Sequence, residues 1–262
     1  MKLKCFRCGY WDGEACRCED RQTLFCGDSR EIIPHLPKID LVVTDPPYGV
    51  DFKGKNSKHK AADGIGYDSI DDNLKIGPEV VRMCLEICDR AIITPGSAAI
   101  RDYVYPNPKE IGCVYFSQGG GMSSWGFRMM YMMFYYGSDP RLAKGLGLTA
   151  DSFHPGGSMP AGETYGHPCP KPVKWMKWMI NKGSIDENDV ILDPFAGSAA
   201  TLQACKEIGR KGIGIELSKM YCNGAVKRLK KPFRPTFKLT QIPKKKLPTL
   251  GFKKKKKPVK KK

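Results

Sequence analysis

Asp193-Pro194-Phe195-Ala196-Gly197-Ser198-Ala199-Ala200-Thr201 leads through a short apolar run into Gly212-Ile213-Gly214-Ile215-Glu216. Val190 to Asp193 reads as a buried strand, Pro194 to Ser198 as a tight turn, Ala199 to Ile208 as a helix closed by Gly209, and Gly212 to Glu216 as a second strand. A strand, a small-residue turn, a helix and a strand make a βαβ unit, whose two strands run parallel. The turn lies at the carboxyl end of its strand, where a ligand can approach the backbone and meet a helix N-terminus. Glu216, ending the next strand, has the acceptors that a ribose needs for its two hydroxyls. No Gly-Lys-Ser/Thr follows, which excludes a P-loop. The pattern alone also fits a dinucleotide site or a packing turn with no ligand.

Working back toward the N-terminus, Val173, Met176, Met179 and Ile180 fall at helical spacing, with Pro172 at the first turn and Gly183 as the stop. Thr23 to Gly27, Asp40 to Thr44 and Ala91 to Thr94 read as strands, and Glu79 to Asp89 as a loosely amphipathic helix. Repeated alternation of strand and helix predicts an α/β fold, a doubly wound and mostly parallel sheet covered on both faces. Residues 106 to 168 show no regular period. They hold Gly119-Gly120-Gly121, then an aromatic and Met cluster from Trp125 to Tyr136.

Asp45-Pro46-Pro47-Tyr48 follows an apolar strand directly, which puts it on the sheet's carboxyl edge, where open α/β folds bind ligands. The paired prolines have little freedom and present the Pro46 carbonyl in one direction. A carboxylate beside a fixed carbonyl supplies two acceptors for the two hydrogens of an exocyclic amine, and Tyr48 supplies a face for stacking. The plainer alternative is a rigid turn with a buried Asp cap.

Four elements, in this order, resemble those of the β group of DNA amino-methyltransferases: Gly27-Asp28-Ser29, Asp45 to Tyr48, His167-Pro168-Cys169-Pro170-Lys171-Pro172, and Asp193 to Thr201. The resemblance spans roughly residues 22 to 226. It implies a Rossmann-like class I methyltransferase fold with permuted motif order, S-adenosyl-L-methionine as cofactor, and double-stranded DNA as partner. It further implies catalysis by Asp45, Pro46, Pro47 and Tyr48, and cofactor binding by Asp28, His167, Lys171, Asp193, Phe195, Gly197, Ser198 and Glu216. Residues 106 to 166 would be the target-recognition segment, with Gln118, Ser123, Ser124 and Arg128 of the types that read base edges. Asp at the first catalytic position leans toward adenine N6 among relatives; cytosine N4, or a non-catalytic DNA-binding protein on the same scaffold, are the alternatives. Such enzymes commonly serve restriction-modification, but no nuclease motif is visible here. The chain departs from the family at Ala199, where Gly is usual, and at Cys169-Pro170, where Thr-Gln is usual. If residue 199 needs a positive φ, Ala is strained there by about 1–2 kcal/mol.

The charge is localised. Of 44 basic residues, 17 lie in residues 227 to 262 with no acidic residue among them, so residues 1 to 226 hold 27 basic against 27 acidic residues. Such a block is expected to be a disordered tail that attracts phosphates through counterion release, or one that solubilises. Lys53 to Lys60 forms a second basic loop. No apolar run is long enough to span a membrane, and a soluble, cytoplasmic chain with reduced or metal-bound cysteines is expected (nuclear in a eukaryotic host). Cys5-x2-Cys8 and Cys16-x-Cys18 offer four thiols around the turn Trp11-Asp12-Gly13, so residues 1 to 21 read as a zinc knuckle. Free thiols in a loose N-terminus are the alternative.

Overall fold

The computed structural model describes residues 2–47, 76–96, 100–103, 106–116, 122–123, 125–155, 165–167 and 170–232. Tyr48, the Lys53 to Lys60 loop, Gln118, the Gly119 to Gly121 run, Ser124, Pro168-Cys169 and residues 233–262 lie outside that set. In chain order the elements are β1 (Gln22–Cys26), α1 (Ser29–Ile32), β2 (Leu41–Thr44), α2 (Ile76–Ile87), β3 (Ala91–Ile93), β4 (Glu110–Tyr115), β5 (Met122–Ser123) and β6 (Gly126–Phe127). They continue with β7 (Met130–Tyr136), α3 (Pro140–Ala143), α4 (Val173–Gly183), β8 (Val190–Asp193), α5 (Ala200–Ile208), β9 (Lys211–Glu216) and α6 (Lys219–Lys230).

Seven strands form one sheet in the order β1-β9-β8-β2-β3-β7-β4. The first five named are mutually parallel, and β7 alone runs against its neighbours β3 and β4. Strand alternation sends side chains to opposite faces. Val42, Ile213 and Ile215 enter one cluster with Ile32 of α1 and Val80, Val81 and Cys84 of α2. Leu41, Val43 and Ile191 enter another with Trp175, Met176, Met179 and Ile180 of α4 and Ala200 and Ala204 of α5. The Gly212-x-Gly214 spacing has its reason here, since a Cβ on Gly214 would lie 2.7 Å from Leu202 of α5. Only a bare backbone on that face of β9 admits the helix so closely.

The expected strands and helices of the βαβ unit occur within a residue of their read positions. Two readings change. The stretch without a period, residues 106 to 168, supplies β4 and β7, so part of the 106 to 166 segment read as target recognition is built into the main sheet, with β4 at its edge. Met133 and Phe134 are fully buried there, whereas Trp125 is 98% exposed. α4 ends at Gly183, the expected stop, and Ser184 after it is extended. The bare Cα of Gly183 is needed because a Cβ would sit 2.6 Å from Leu41 Cδ1. The basic stretch read as a tail from residue 227 begins inside α6, whose buried Leu229 and Arg228 hold Lys227 to Lys230 in a helix. Among the described residues no helix is long and apolar enough to cross a membrane.

Candidate active site

Because β1, β9, β8, β2 and β3 are parallel, their carboxyl ends meet along one edge, and each end carries a polar residue. These are Asp28 after β1, Glu216 on β9, Asp193 on β8, Asp45 after β2 and Thr94 after β3. A cleft opens at this edge. Asp45, His167, Lys171, Phe195, Gly197 and Ser198 line it, together with Asp193.

Asp193 builds the turn rather than facing solvent. Its carboxylate accepts from Thr44 Oγ1 at 2.8 Å, Thr201 Oγ1 at 2.5 Å and the Phe195 amide at 3.1 Å. Burial raises its pKa to about 6, against the opposing pull of those three donors. Ser29 Oγ donates to the Pro194 carbonyl at 2.6 Å, and Arg228 Nη1 donates to the Ser198 carbonyl and Oγ at 2.8 and 2.9 Å. The turn is thereby fixed from several other elements. Ala199 takes φ 59° and ψ 42°, so the strain expected of a non-glycine at this position is present.

Glu216 Oε2 accepts from the Gly197 amide at 2.7 Å, and Oε1 from the Ser218 amide at 2.8 Å, which ties the end of β9 to the turn. The β1 end joins the same edge through Gly27, whose amide donates to the Glu216 carbonyl at 2.9 Å. Asp28 caps α1 through the Arg30 amide. The Arg30 guanidinium, which pairs with it at 2.6 Å, holds the Asp28 carboxyl below the usual carboxylate range. His167 packs against Tyr221 with ring centroids 4.8 Å apart. A Cβ on Gly197, where φ is 50°, would lie 2.9 Å from His167 Nε2, so the turn and His167 touch only because residue 197 is glycine.

Thr94 and Lys171 both donate to Asp45. Thr94 Oγ1 donates to Oδ1 at 2.6 Å, and Lys171 Nζ donates to Oδ2. Lys171, expected on cofactor grounds, thus lines the cleft and also grips the carboxylate of the Asp-Pro-Pro motif. Its ammonium lies 6.0 Å from the Tyr131 ring centroid, and Arg128 lies over the same ring at 5.5 Å.

Thr44, Thr94 and Arg228 are structural supports of the cleft that sequence reasoning passes over, whereas Ser29 and Thr201 lie within the quoted motifs. Thr44 and Thr94 close strands whose positions are legible, so a polar residue at a strand's carboxyl end is the signal that finds them. Arg228 is hidden in the sequence by the charge run around it.

At the other end of β1, the sulfurs of Cys5, Cys8, Cys16 and Cys18 all lie within 4.8 Å of one another.

This sheet, with one reversed strand near an edge and a Gly-turn cleft at its carboxyl edge, is the class I methyltransferase fold. It superposes on M1.HpyAVI in complex with SAM with a TM-score of 0.58 at 21% identity, covering 80% of this chain and 100% of that one. The DNA methylase model for N6 and N4 enzymes matches residues 141–227. The type II methyltransferase M.HpaI of Haemophilus parainfluenzae is 26% identical over 260 residues, covering 81% of this chain and 75% of that protein. M2.LlaDCHI of Lactococcus lactis subsp. cremoris is 48% identical over 65 residues, 25% of this chain and 24% of that one. The match to the N6/N4 DNA methylase family thus lies in residues 141–227, and the similarity to a type II methyltransferase extends over most of the chain.

Proposed function

We propose that this protein transfers a methyl group from S-adenosyl-L-methionine to the exocyclic amine of a base flipped out of double-stranded DNA, and that the amine is adenine N6. The observation that carries this reading is that Asp45 and the Gly197-Ser198 turn line one cleft. The cradle suits the cofactor: Gly197 leaves bare backbone at the head of α5, Glu216 brings a carboxylate to the same turn, and Asp28 stands at the adjoining strand end. Those three residues, with Phe195, Ser198, His167 and Lys171, would hold it. When bound it supplies an electrophilic methyl on a sulfonium.

The chain's own residues do the rest. An aromatic amine is a poor nucleophile because its lone pair is delocalised into the ring. Asp45 and the Pro46 carbonyl accept its two hydrogens, which favours a more tetrahedral nitrogen and aims the lone pair. Thr94 and Lys171 orient the carboxylate through their hydrogen bonds to its two oxygens. Positioning the nitrogen about 3–3.5 Å from the methyl accounts for much of the remaining barrier. Extruding the base costs a few kcal/mol, which stacking on Tyr48 partly offsets. Adenine is favoured because the motif begins with Asp, the form that leans to N6 in enzymes resembling this one.

Incubating the protein with labelled cofactor and mixed-sequence DNA, then digesting to nucleosides, is expected to give N6-methyladenine. N4-methylcytosine would overturn the choice of base, and unlabelled DNA would overturn the activity.

A further inference from the structure

We propose that Cys5, Cys8, Cys16 and Cys18 bind one zinc ion as a tetrathiolate, and that this site is structural, clamping the N-terminal segment over the open edge of β1. Four thiolates at about 2.3 Å from one ion stand about 3.8 Å apart. The four sulfurs here all fall within 4.8 Å of one another, with Cys5 and Cys18 at 4.0 Å, so small side-chain rotations close the tetrahedron. An all-sulfur set selects a soft ion, and four ligands in tetrahedral reach leave no open position for a substrate, which points to a structural rather than a catalytic metal.

The backbone is already turned for this. Gly9 takes φ 71° and its amide donates to the Cys5 carbonyl at 2.8 Å, closing the Cys5-x2-Cys8 loop. Asp12 Oδ1 accepts from the Glu14 and Ala15 amides at 2.9 and 2.8 Å and sends the chain back toward Cys16. The segment has almost no core of its own to hold this shape. Of residues 2 to 20 only Leu3 and Cys5 are buried. A unit that small commonly draws its folding energy from a metal.

What the clamp secures is the edge of the sheet. β1 pairs with β9 on one side only, and an unpaired strand edge invites association with another chain. Phe6 N donates to Leu24 O at 2.6 Å along that open edge, Leu3 joins the core beside Phe25, and Trp11 packs edge-on against Phe25 at 5.1 Å. Arg7 fixes the register, with Asp20 at 2.7 and 2.8 Å and the Gln22 carbonyl at 2.6 Å. The cysteines gather at the Gln22 end of β1, away from the strand end that bears Asp28, so the ion has no part in the methyl-transfer cleft.

The test uses the full chain expressed with zinc. About one zinc per chain is expected by elemental analysis, with four thiols resistant to alkylation in the folded protein. Cobalt is expected to replace it and give thiolate-to-metal charge-transfer absorption. Cys8→Ser, at an exposed position, loses the metal and lowers the thermal midpoint, whereas Cys113→Ser keeps both. Chelation is expected to lower the midpoint and expose residues 2 to 20 to proteolysis while S-adenosylmethionine still binds. A metal-free native protein with four reactive thiols, or a disulfide seen by intact mass, would overturn the site. Loss of cofactor binding at an unchanged midpoint would overturn its structural role.

Discussion

Thr94 belongs to no motif, yet its hydroxyl donates to the Asp45 carboxylate. Thr94→Val keeps the shape and removes the donor. A hydrogen bond to a charged group is worth about 1.5–3 kcal/mol, so kcat is expected to fall at least about 10-fold with the cofactor Kd unchanged. An unaltered kcat would mean that Asp45 is oriented without it. The residues that line the cleft are legible because their order along the chain is itself a signal. Their supports are not, because Thr94 and Asp45 are 49 positions apart and meet only when β2 and β3 pair. Ala199 is the opposite case, a departure visible in the sequence whose cost depends on an angle. Its left-handed φ strains the backbone by about 1–2 kcal/mol, while burying its methyl among Leu24, Leu202 and Cys222 returns about 0.8 kcal/mol. Much of the strain is offset, which explains how the position tolerates alanine.

Elements with one strong local period are readable to within a residue or two. β8, α5 and β9 are set off by Gly and Pro, and the Gly212-x-Gly214 spacing reports how closely α5 packs. β4 and β7 escape because their pattern is set by partners. β7 carries apolar side chains on both faces, and β4 sits at the sheet edge with Glu110, Ile111 and Tyr115 exposed. Residues 151 to 153 run beside β4, with Phe153 N donating to the Cys113 carbonyl and Tyr115 N to the Phe153 carbonyl. They approach so closely that a Cβ on Gly112 would lie 2.0 Å from the Asp151 carbonyl oxygen. Gly112→Ala must therefore push backbone from backbone. The expected loss is about 1–3 kcal/mol of unfolding free energy in a urea titration, with an unchanged m-value. A neutral result would mean that this strand pairing does not form in solution.

At the scale of the molecule, charge and chemistry occupy different parts of the chain. The first 226 residues are balanced, and the excess of +17 lies beyond them. Removing residues 233 to 262 deletes 13 basic residues while leaving α6 whole. If they grip phosphate, DNA affinity at low salt falls and the slope of log K against log salt flattens by about 0.9 for each phosphate no longer neutralised. An unchanged slope would place the phosphate grip on the folded body. The cleft, by contrast, draws on both ends of the folded region, since Asp45 reaches it from the early strands and Gly197 from the late ones. The most direct test of that division of labour is Asp45→Ala, measured for methyl transfer to DNA and, separately, for S-adenosylmethionine binding by calorimetry. Transfer is expected to fall by at least about 100-fold while the cofactor Kd stays within a few-fold. A variant that still methylates DNA at the native rate would contradict the role given to Asp45.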